Sequence, residues 1–229
     1  MSKLWIFGDS FSDSCGLHDH HDYVAWLSQH NHDVSNPLEY SFQNLLAKEL
    51  DLKLEGRGTS GSGNTEIITE ILTNINYIDK NDYIIIGWSV PTRLSLPGAG
   101  SWNKFTTISN YMNAKNLDDE LGGTHYYDFY TNTFPDKIDY HMEYWNNVAM
   151  ELSYHLQKNY NIITWSWLHE IRNIQNISQH TNSEVGDDHP SIEGHKYIFE
   201  KLKSSDWGTV FDLNTPPPEL EEHTHKPQN

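Results

Sequence analysis

Two residues near opposite ends of this 229-residue chain have the chemistry of a nucleophile and its base. Ser10 lies in GDSFSD, directly after the apolar run at residues 4–7, where a strand that ends at Gly8 leaves a hydroxyl exposed beside backbone N–H groups. His189 lies in DDHPSIEGH, between two acids and a helix-forming segment. A serine, an imidazole, an acid that orients the imidazole and N–H donors for an oxyanion make an acyl-transfer site. The pattern predicts such a site, with a turn serine and a helix-terminal histidine of structural role as the alternatives.

Apolar periodicity predicts that strands and helices alternate along the chain, which is typical of a parallel sheet covered on both faces. Strands are predicted at residues 4–7, 52–54, 83–86 and 162–165. Helices are predicted at residues 40–50, 67–75, 142–156 and 191–202, the last of them capped by Ser191. Because sites in such sheets gather at the carboxyl ends of the strands, Ser10 is well placed.

An N-terminal GDS serine paired with an acid and a histidine just before Pro190 and the last helix resembles the SGNH (GDSL-like) hydrolase family. The resemblance extends in block order over residues 1–205 and implies an α/β fold, a doubly wound, flavodoxin-like parallel sheet in three α/β/α layers. It implies that Ser10 is the nucleophile and one oxyanion donor through its own N–H, that His189 is the base, and that Gly61 of TSGSGN gives a second N–H. The segments GSGN, GWSVPTR and DDHPS also resemble a branch of this family found among bacteriophage and environmental bacterial sequences.

The third block of this chain departs from the family pattern. It normally reads Gly-x-Asn-Asp, whereas residues 87–90 read GWSV, so Ser89 stands where an asparagine is expected. We predict that Asn64, at the end of the glycine-rich loop, substitutes as an oxyanion donor, with a helix N-cap as the structural alternative. Trp88 and Ser89 are predicted to contact the substrate.

The acid departs as well. The family usually has it three residues before the histidine, where this chain has Gly186, so Asp187 and Asp188 are the nearest candidates. In an extended segment, side chains two positions apart point the same way and adjacent ones point opposite ways. We therefore favour Asp187 as the residue that orients His189, with Asp188 as the alternative.

Chain length and composition predict one domain at residues 1–211. Residues at about 97–137 show no sustained period, which predicts an inserted segment with room for short helices. Its aromatic side chains are predicted to pack the insertion, or alternatively to form a wall on which a sugar stacks; they are Trp102, Phe105, Tyr126, Tyr127, Phe129 and Tyr130. Residues 212–229, which include TPPPELEEHTHKPQN, are predicted to be a flexible, Pro-rich acidic tail.

The formal charge of -17, from 32 Asp+Glu against 15 Lys+Arg, argues against nucleic acid as a partner, because phosphate binding rests on clustered Lys and Arg. A single cysteine, Cys15, excludes an internal disulfide. The N-terminal apolar run is too short for a signal peptide, and no run of about eighteen apolar residues suggests a membrane span. We expect a soluble protein without a cleaved signal, in the cytoplasm or associated with phage.

The first functional hypothesis is a metal-independent serine esterase without a cofactor, which acts on O-acetyl or other short acyl esters of a carbohydrate through an acyl-Ser10 intermediate. The alternative is a non-catalytic binding or virion-associated structural module that keeps the fold, which the altered third block and the displaced acid favour. A third hypothesis is a metal-dependent hydrolase that uses HDHHD at residues 18–22 with His30, His32 and Asp33.

Overall fold

The computed structural model describes residues 1–13, 37–56, 58–90, 93–97, 105–108, 138–169, 181–182 and 187–216. In chain order the strands are β1 Lys3–Gly8, β2 Lys53–Glu55, β3 Tyr83–Trp88, β4 Leu94–Pro97, β5 Phe105–Ile108, β6 Asn161–Ser166, β7 Thr181–Asn182 and β8 Asp187–Pro190. The α-helices are α1 Ser10–Asp13, α2 Phe42–Glu49, α3 Asn64–Asn74, α4 Ile138–Gln157 and α5 Ile192–Lys203. A short 3-10 helix at Pro37–Tyr40 precedes α2, and another at Ile75–Tyr77 follows α3.

The central sheet has four strands in the order β2-β1-β3-β6. All three neighbouring pairs are parallel, and Gly8 at the end of β1 lies opposite Gly87 in β3. An isolated parallel bridge joins Ile163 of β6 to Thr209, beyond α5, so that the chain returns to the sheet on the outer side of β6. The strand order reverses direction between β1 and β3, as it does in a doubly wound sheet.

Helices cover both faces of this sheet, because strand residues alternate between two apolar clusters. One cluster joins the sheet to α2 and α5 through Leu4, Ile6, Phe42, Leu46, Ile85, Ile163, Ile198 and Leu202. The other joins it to α3 and α4 through Trp5, Phe7, Ile67, Ile71, Ile84, Ile86, Ala149 and Leu156. The predicted three-layer α/β fold is confirmed.

Serine caps set the beginnings of two helices on the first face. The Ser41 hydroxyl accepts a hydrogen bond from the Asn44 N–H at 3.3 Å at the start of α2, and the Ser191 hydroxyl accepts one from the Gly194 N–H at 3.1 Å at the start of α5. Such caps satisfy N–H groups that have no partner within the helix. The predicted Ser191 cap is confirmed, and it places the residues before it, including His189, at the entrance to α5.

The segment after β3 contains a two-stranded antiparallel ladder, and its second strand, β5, lies inside the predicted insertion. β4 and β5 pair antiparallel, with Leu94 opposite Ile108 and Pro97 opposite Phe105. The predicted boundary of the insertion at about residue 97 therefore falls inside a two-stranded ladder. Its aromatic residues other than Phe105 lie outside the described residues.

The beginning of the predicted tail packs on the domain. The Leu213 side chain joins the apolar cluster on the α3 and α4 face, and the Leu213 N–H lies 3.4 Å from the sulfur of Met150. Residues 217–229 lie outside the described residues. Within the described part of the chain, no helix combines the length and apolarity needed to cross a membrane.

Candidate active site

Ser10 and Ser89 lie at the same edge of the sheet. Each follows the carboxyl end of a central strand, and those two strands, β1 and β3, are neighbours whose last paired residues are Gly8 and Gly87. The chain leaves β1 toward one side of the sheet and β3 toward the other, which makes this edge the topological switch point where ligands of open α/β sheets bind. The fold therefore puts the predicted nucleophile where a site is expected.

Asp9 holds the turn that carries Ser10. Its carbonyl accepts hydrogen bonds from the N–H groups of Ser12 and Asp13, both at 2.9 Å. Its carboxylate Oδ1 accepts one from the Phe11 N–H at 3.1 Å. Ser10 is thus the first residue of α1, between two residues whose backbones are fixed, and it is 5% exposed.

Two glycines allow α1 to lie close over the strand ends. A Cβ at Gly8 would lie 2.0 Å from the Ser12 hydroxyl, and a Cβ at Gly87 would lie 2.1 Å from the indole Nε1 of Trp167. That indole N–H donates to the Ser12 hydroxyl at 2.9 Å. Because the Ser12 side chain and the Trp167 ring occupy the space above the strands, only glycine fits at both positions.

The glycine-rich loop packs against the same turn. The Thr59 N–H donates to the Gly8 carbonyl at 2.9 Å, and a Cβ at Gly58 would lie 2.8 Å from both the Gly8 carbonyl oxygen and the Ser12 Cβ. Gly61 has φ +85° in an exposed turn that the Ser62 N–H closes on the Thr59 carbonyl at 3.1 Å. The close approach is made by Gly58, a residue that the sequence did not distinguish from its neighbouring glycines.

His189 reaches the Ser10 turn from the other end of the chain. Its imidazole lies over the Phe11 ring, with 4.6 Å between ring centroids, and its Nε2 atom is buried. Residues 187–190 pair antiparallel with β7 through an irregular register, in which Asn182 lies opposite Asp187 and Thr181 lies opposite Pro190. The choice of Asp187 over Asp188 stays a prediction. The structure thus brings β8 and α1 together.

The polar groups of the third-block residues Trp88 and Ser89 form hydrogen bonds inside the protein. The Ser89 N–H donates to the Asn64 Oδ1 at 2.8 Å, and the Asn64 Nδ2 donates back to the Ser89 carbonyl at 3.2 Å. Asn64 is not an N-cap, because α3 is capped at Gly63 without a side-chain bond. Trp88 is fully buried and its indole N–H donates to the Ser153 hydroxyl at 3.3 Å, and Ser89 is also fully buried. Because the only side-chain donor of each residue is already bonded within the protein, to Ser153 and to Asp9, we do not include Trp88 and Ser89 in the site proposed below.

A buried ion pair behind Ser10 was missed from the sequence. Asp9, 1% exposed, accepts at Oδ2 from the Ser89 hydroxyl at 2.7 Å and from the Arg93 Nη1 at 3.0 Å. Burial raises the pKa of the Asp9 carboxyl, and this rise is opposed by Arg93, by the hydrogen bonds from Ser89 and Phe11, and by His189. The motif GWSVPTR contains Arg93, but nothing in its spacing pointed to Asp9.

The predicted alternative metal site at residues 18–33 lies outside the described residues.

No family model and no curated protein matches the chain. Solved structures similar to it include a member of the lipolytic protein G-D-S-L family from Veillonella parvula, with 12% identity over 89% of this chain and 98% of that one, at a TM-score of 0.40. An alpha/beta hydrolase enzyme from the metagenome of Lake Arreo has 16% identity over 88% and 93%, also at 0.40.

A catalytic mutant of an acetylxylan esterase from Geobacillus stearothermophilus has 13% identity over 92% of this chain and 97% of that one, at a TM-score of 0.38. Likeness at TM-scores below 0.5 leaves the chemistry of this chain to its own residues.

Proposed function

We propose that this chain is a serine ester hydrolase in which Ser10 is the nucleophile, His189 is the general base and Asp187 orients His189. The observation that carries the proposal is the convergence of two distant segments at the switch point of the sheet. Ser10 begins the turn after β1, and the His189 ring lies 4.6 Å from the ring of the next residue, Phe11. Two distant segments that bring a serine and a histidine to the same turn are typical of a site in which an imidazole serves as base to a hydroxyl.

The reaction follows from these roles. The Ser10 oxygen attacks the carbonyl carbon of the ester while the imidazole of His189 takes the hydroxyl proton. The tetrahedral intermediate collapses, the bond to the alcohol oxygen breaks, and the imidazolium returns the proton to the leaving alcohol. A water molecule, deprotonated by the same imidazole, then attacks the acyl-Ser10 ester and releases the acid. The Asp187 carboxylate stabilises the imidazolium in both half-reactions.

The proposed oxyanion donors are the N–H groups of Ser10 and Gly61 and the Nδ2 of Asn64. Asn64 has one N–H of its amide on the Ser89 carbonyl and a second one that this bond leaves available. Its hydrogen bonds to the Ser89 backbone fix the amide at the end of β3. Ser10 follows the neighbouring strand β1 at the same end of the sheet. A preorganised donor of this kind is worth about a hundred- to a thousandfold in rate.

The proposed substrate is a short acyl ester, of O-acetyl type, on a carbohydrate. This part of the proposal rests on the SGNH resemblance of the sequence and on the aromatic-rich insertion. The similar Geobacillus stearothermophilus protein is an acetylxylan esterase, which makes acetylated xylan a suitable first member of the substrate panel.

A non-catalytic binding module is the second candidate, because of one observation. The Ser89 hydroxyl, which stands in place of the family asparagine, is buried and donates to Asp9. Its hydroxyl is therefore engaged where the family has a free amide donor. Mass labelling by a fluorophosphonate separates the two candidates, since only an activated serine reacts.

The test is hydrolysis of short-chain aryl esters and acetylated oligosaccharides by Ser10→Ala and His189→Ala proteins. Each substitution should lower turnover by about a thousandfold or more, because the two groups act as a unit. Ser204→Ala and His155→Ala, both at exposed positions, are the matched controls and should keep full activity. More than a tenth of the activity left in a folded Ser10→Ala protein refutes the assignment.

The same assay ranks the two acids. Asp187→Asn should lower turnover more than Asp188→Asn, because only the orienting carboxylate stabilises the imidazolium. The reverse ranking assigns the role to Asp188.

A further inference from the structure

Arg93 connects the segment after β3 to the residue that precedes the proposed nucleophile. Its Nη1 donates to the Asp9 Oδ2 at 3.0 Å and lies 3.3 Å from the Ser89 hydroxyl, which itself donates to the same carboxylate oxygen at 2.7 Å. The three side chains therefore form a closed set of polar contacts. The Arg93 backbone is fixed as well, since its N–H donates to the Val90 carbonyl at 3.1 Å.

A buried carboxylate needs a counter-charge to stay in place. Asp9 and Ser89 are 1% and 0% exposed, whereas the Arg93 side chain is 22% exposed. Arg93 is the cation of the Asp9 salt bridge. In the described part of the chain, the charged or titratable groups that act on the Asp9 carboxyl are Arg93, from the segment after β3, and His189 of β8.

The other oxygen of the same carboxylate holds the Ser10 turn, since Asp9 Oδ1 accepts from the Phe11 N–H at 3.1 Å. A carboxylate is rigid and planar, so a force on one oxygen is transmitted to the other. We propose that Arg93 is a positioning residue for Ser10: by binding Asp9, it fixes the turn that aims the nucleophile. This inference rests on the proposed function, and it adds to that function a residue outside the nucleophile, the base, the acid and the oxyanion donors.

The competing role for Arg93 is direct contact with the substrate through its exposed part. The two roles differ in whether the effect of an Arg93 substitution depends on Asp9 and in which kinetic constant it changes. A positioning residue acts through Asp9 and changes turnover, whereas a substrate-binding residue acts independently of Asp9 and changes the Michaelis constant.

The experiment is a double-mutant cycle of Arg93→Met and Asp9→Asn in the full-length protein, assayed with an aryl acetate. Arg93→Met should lower kcat by about tenfold or more with KM within about twofold, and the same substitution made on top of Asp9→Asn should cost less than about threefold. Lys203→Met, which removes an exposed cation paired with Glu49 at 2.6 Å, is the matched control and should leave both constants unchanged.

A pH profile gives a readout that altered packing alone does not produce. Arg93 opposes the rise that burial causes in the Asp9 pKa, so its removal should raise that pKa further. Relative to the unmodified protein, the Arg93→Met protein should therefore show an additional loss of kcat toward low pH. The protein that carries both Asp9→Asn and Arg93→Met lacks this carboxyl and should not gain that loss. Arg93→Lys retains the charge and should restore part of kcat, which keeps the test usable if Arg93→Met does not fold.

Equal losses with and without Asp9→Asn, or a raised KM with unchanged kcat, overturn the positioning role while Ser10-dependent turnover in the unmodified protein still supports the proposed function. Absence of any Ser10-dependent turnover overturns the proposed function and this inference together.

Discussion

At the scale of single residues, Ser89 determines how the end of β3 is used, at the position where the SGNH pattern that the sequence resembles has an asparagine. A serine side chain is short, and here its hydroxyl binds Asp9 at 2.7 Å behind the nucleophile. The side-chain amide at this edge belongs instead to Asn64, which comes from α3 and pairs with both backbone polar groups of Ser89. The side-chain amide of the first residue of α3 is thus bound to the backbone at the end of β3.

Asn64→Asp tests whether this amide is an oxyanion donor. The aspartate keeps the oxygen that accepts from the Ser89 N–H but loses the N–H donor, and the start of α3 accommodates its negative charge. Turnover should fall by about a hundredfold with little change in KM, because an oxyanion contact forms mainly in the transition state.

Asn74→Asp is the matched control at the other end of α3, where the amide donates to the Glu70 carbonyl at 2.9 Å, and it should leave turnover unchanged. A folded Asn64→Asp protein with a lower melting temperature and full turnover shows that Asn64 only holds the Ser89 backbone.

Residue types near the site were predictable, but their bonding was not. Ser10 and His189 stand in local patterns, a strand end and a helix entrance, that a sequence displays directly. The contact of Asp9 with Arg93 joins residues 84 positions apart, and no local period encodes it. The sequence predicts a substrate contact for Trp88, but its ring is fully buried and its indole N–H donates to the Ser153 hydroxyl.

At the scale of elements, the strands and long helices were predictable because their apolar periods are sustained. In β1, Leu4 and Ile6 face one cluster and Trp5 and Phe7 face the other, and this double burial gives the continuous apolar run. The four-residue helix α1 is too short to show a period and depends on Asp9 for its N–H partners. The sequence did not predict the β4–β5 ladder, because its two strands have four residues each and are too short to show a sustained period.

Gly87→Ala tests the close packing of α1 on the sheet. The added Cβ would lie 2.1 Å from the Trp167 Nε1 and 2.6 Å from the Ser12 hydroxyl, and the Trp167 ring is fully buried. Overpacking of this kind costs about 1–3 kcal/mol, and we expect that loss in chemical denaturation. Turnover of the folded protein should also fall, because relief of the clash displaces α1 and Ser10 with it.

Gly208→Ala is the matched control, since nothing lies within 4 Å of its Cβ and its N–H donates to the Ile162 carbonyl near the amino end of β6, remote from α1. Its φ of +108° gives a loss of stability by backbone strain alone, so turnover should be unchanged. Unchanged stability and turnover in the Gly87→Ala protein would show that the packing yields without moving the site.

At the scale of the whole molecule, acid stability depends on a histidine buried where two helices of one layer, α2 and α5, pack together. His195 of α5 is fully buried and its ring stacks on Phe42, with 5.8 Å between centroids. Its Nδ1 accepts from the Phe42 N–H at 3.4 Å, which requires a neutral ring, and among the described residues its Nε2 has no hydrogen-bond partner. Burial, together with the charge of His189, lowers the pKa of His195 to about 3.

The sign of the pH effect follows from linkage. Between pH about 6.5 and about 3, the unfolded chain binds a proton at His195 and the folded chain does not, so the free energy of unfolding falls as the pH falls. At pH 5 the loss from this residue is about 2 kcal/mol relative to pH 7 and above. This loss adds to the changes in the free energy of unfolding that other titrating groups cause. The chain has 14 histidines and a net charge of -17, so such groups are numerous.

His195→Gln isolates this contribution, because glutamine keeps an oxygen acceptor for the Phe42 N–H and does not titrate. Its free energy of unfolding at pH 7 is expected to be lower, since the ring stacking on Phe42 is lost. Its decline from pH 7 to pH 5, measured by urea denaturation, should be smaller than that of the unmodified protein by about 2 kcal/mol. His155→Gln, at an exposed position of α4, should leave the decline unchanged. Parallel declines in the unmodified and His195→Gln proteins would mean that His195 is protonated in the folded state, which is incompatible with its ring accepting the Phe42 N–H.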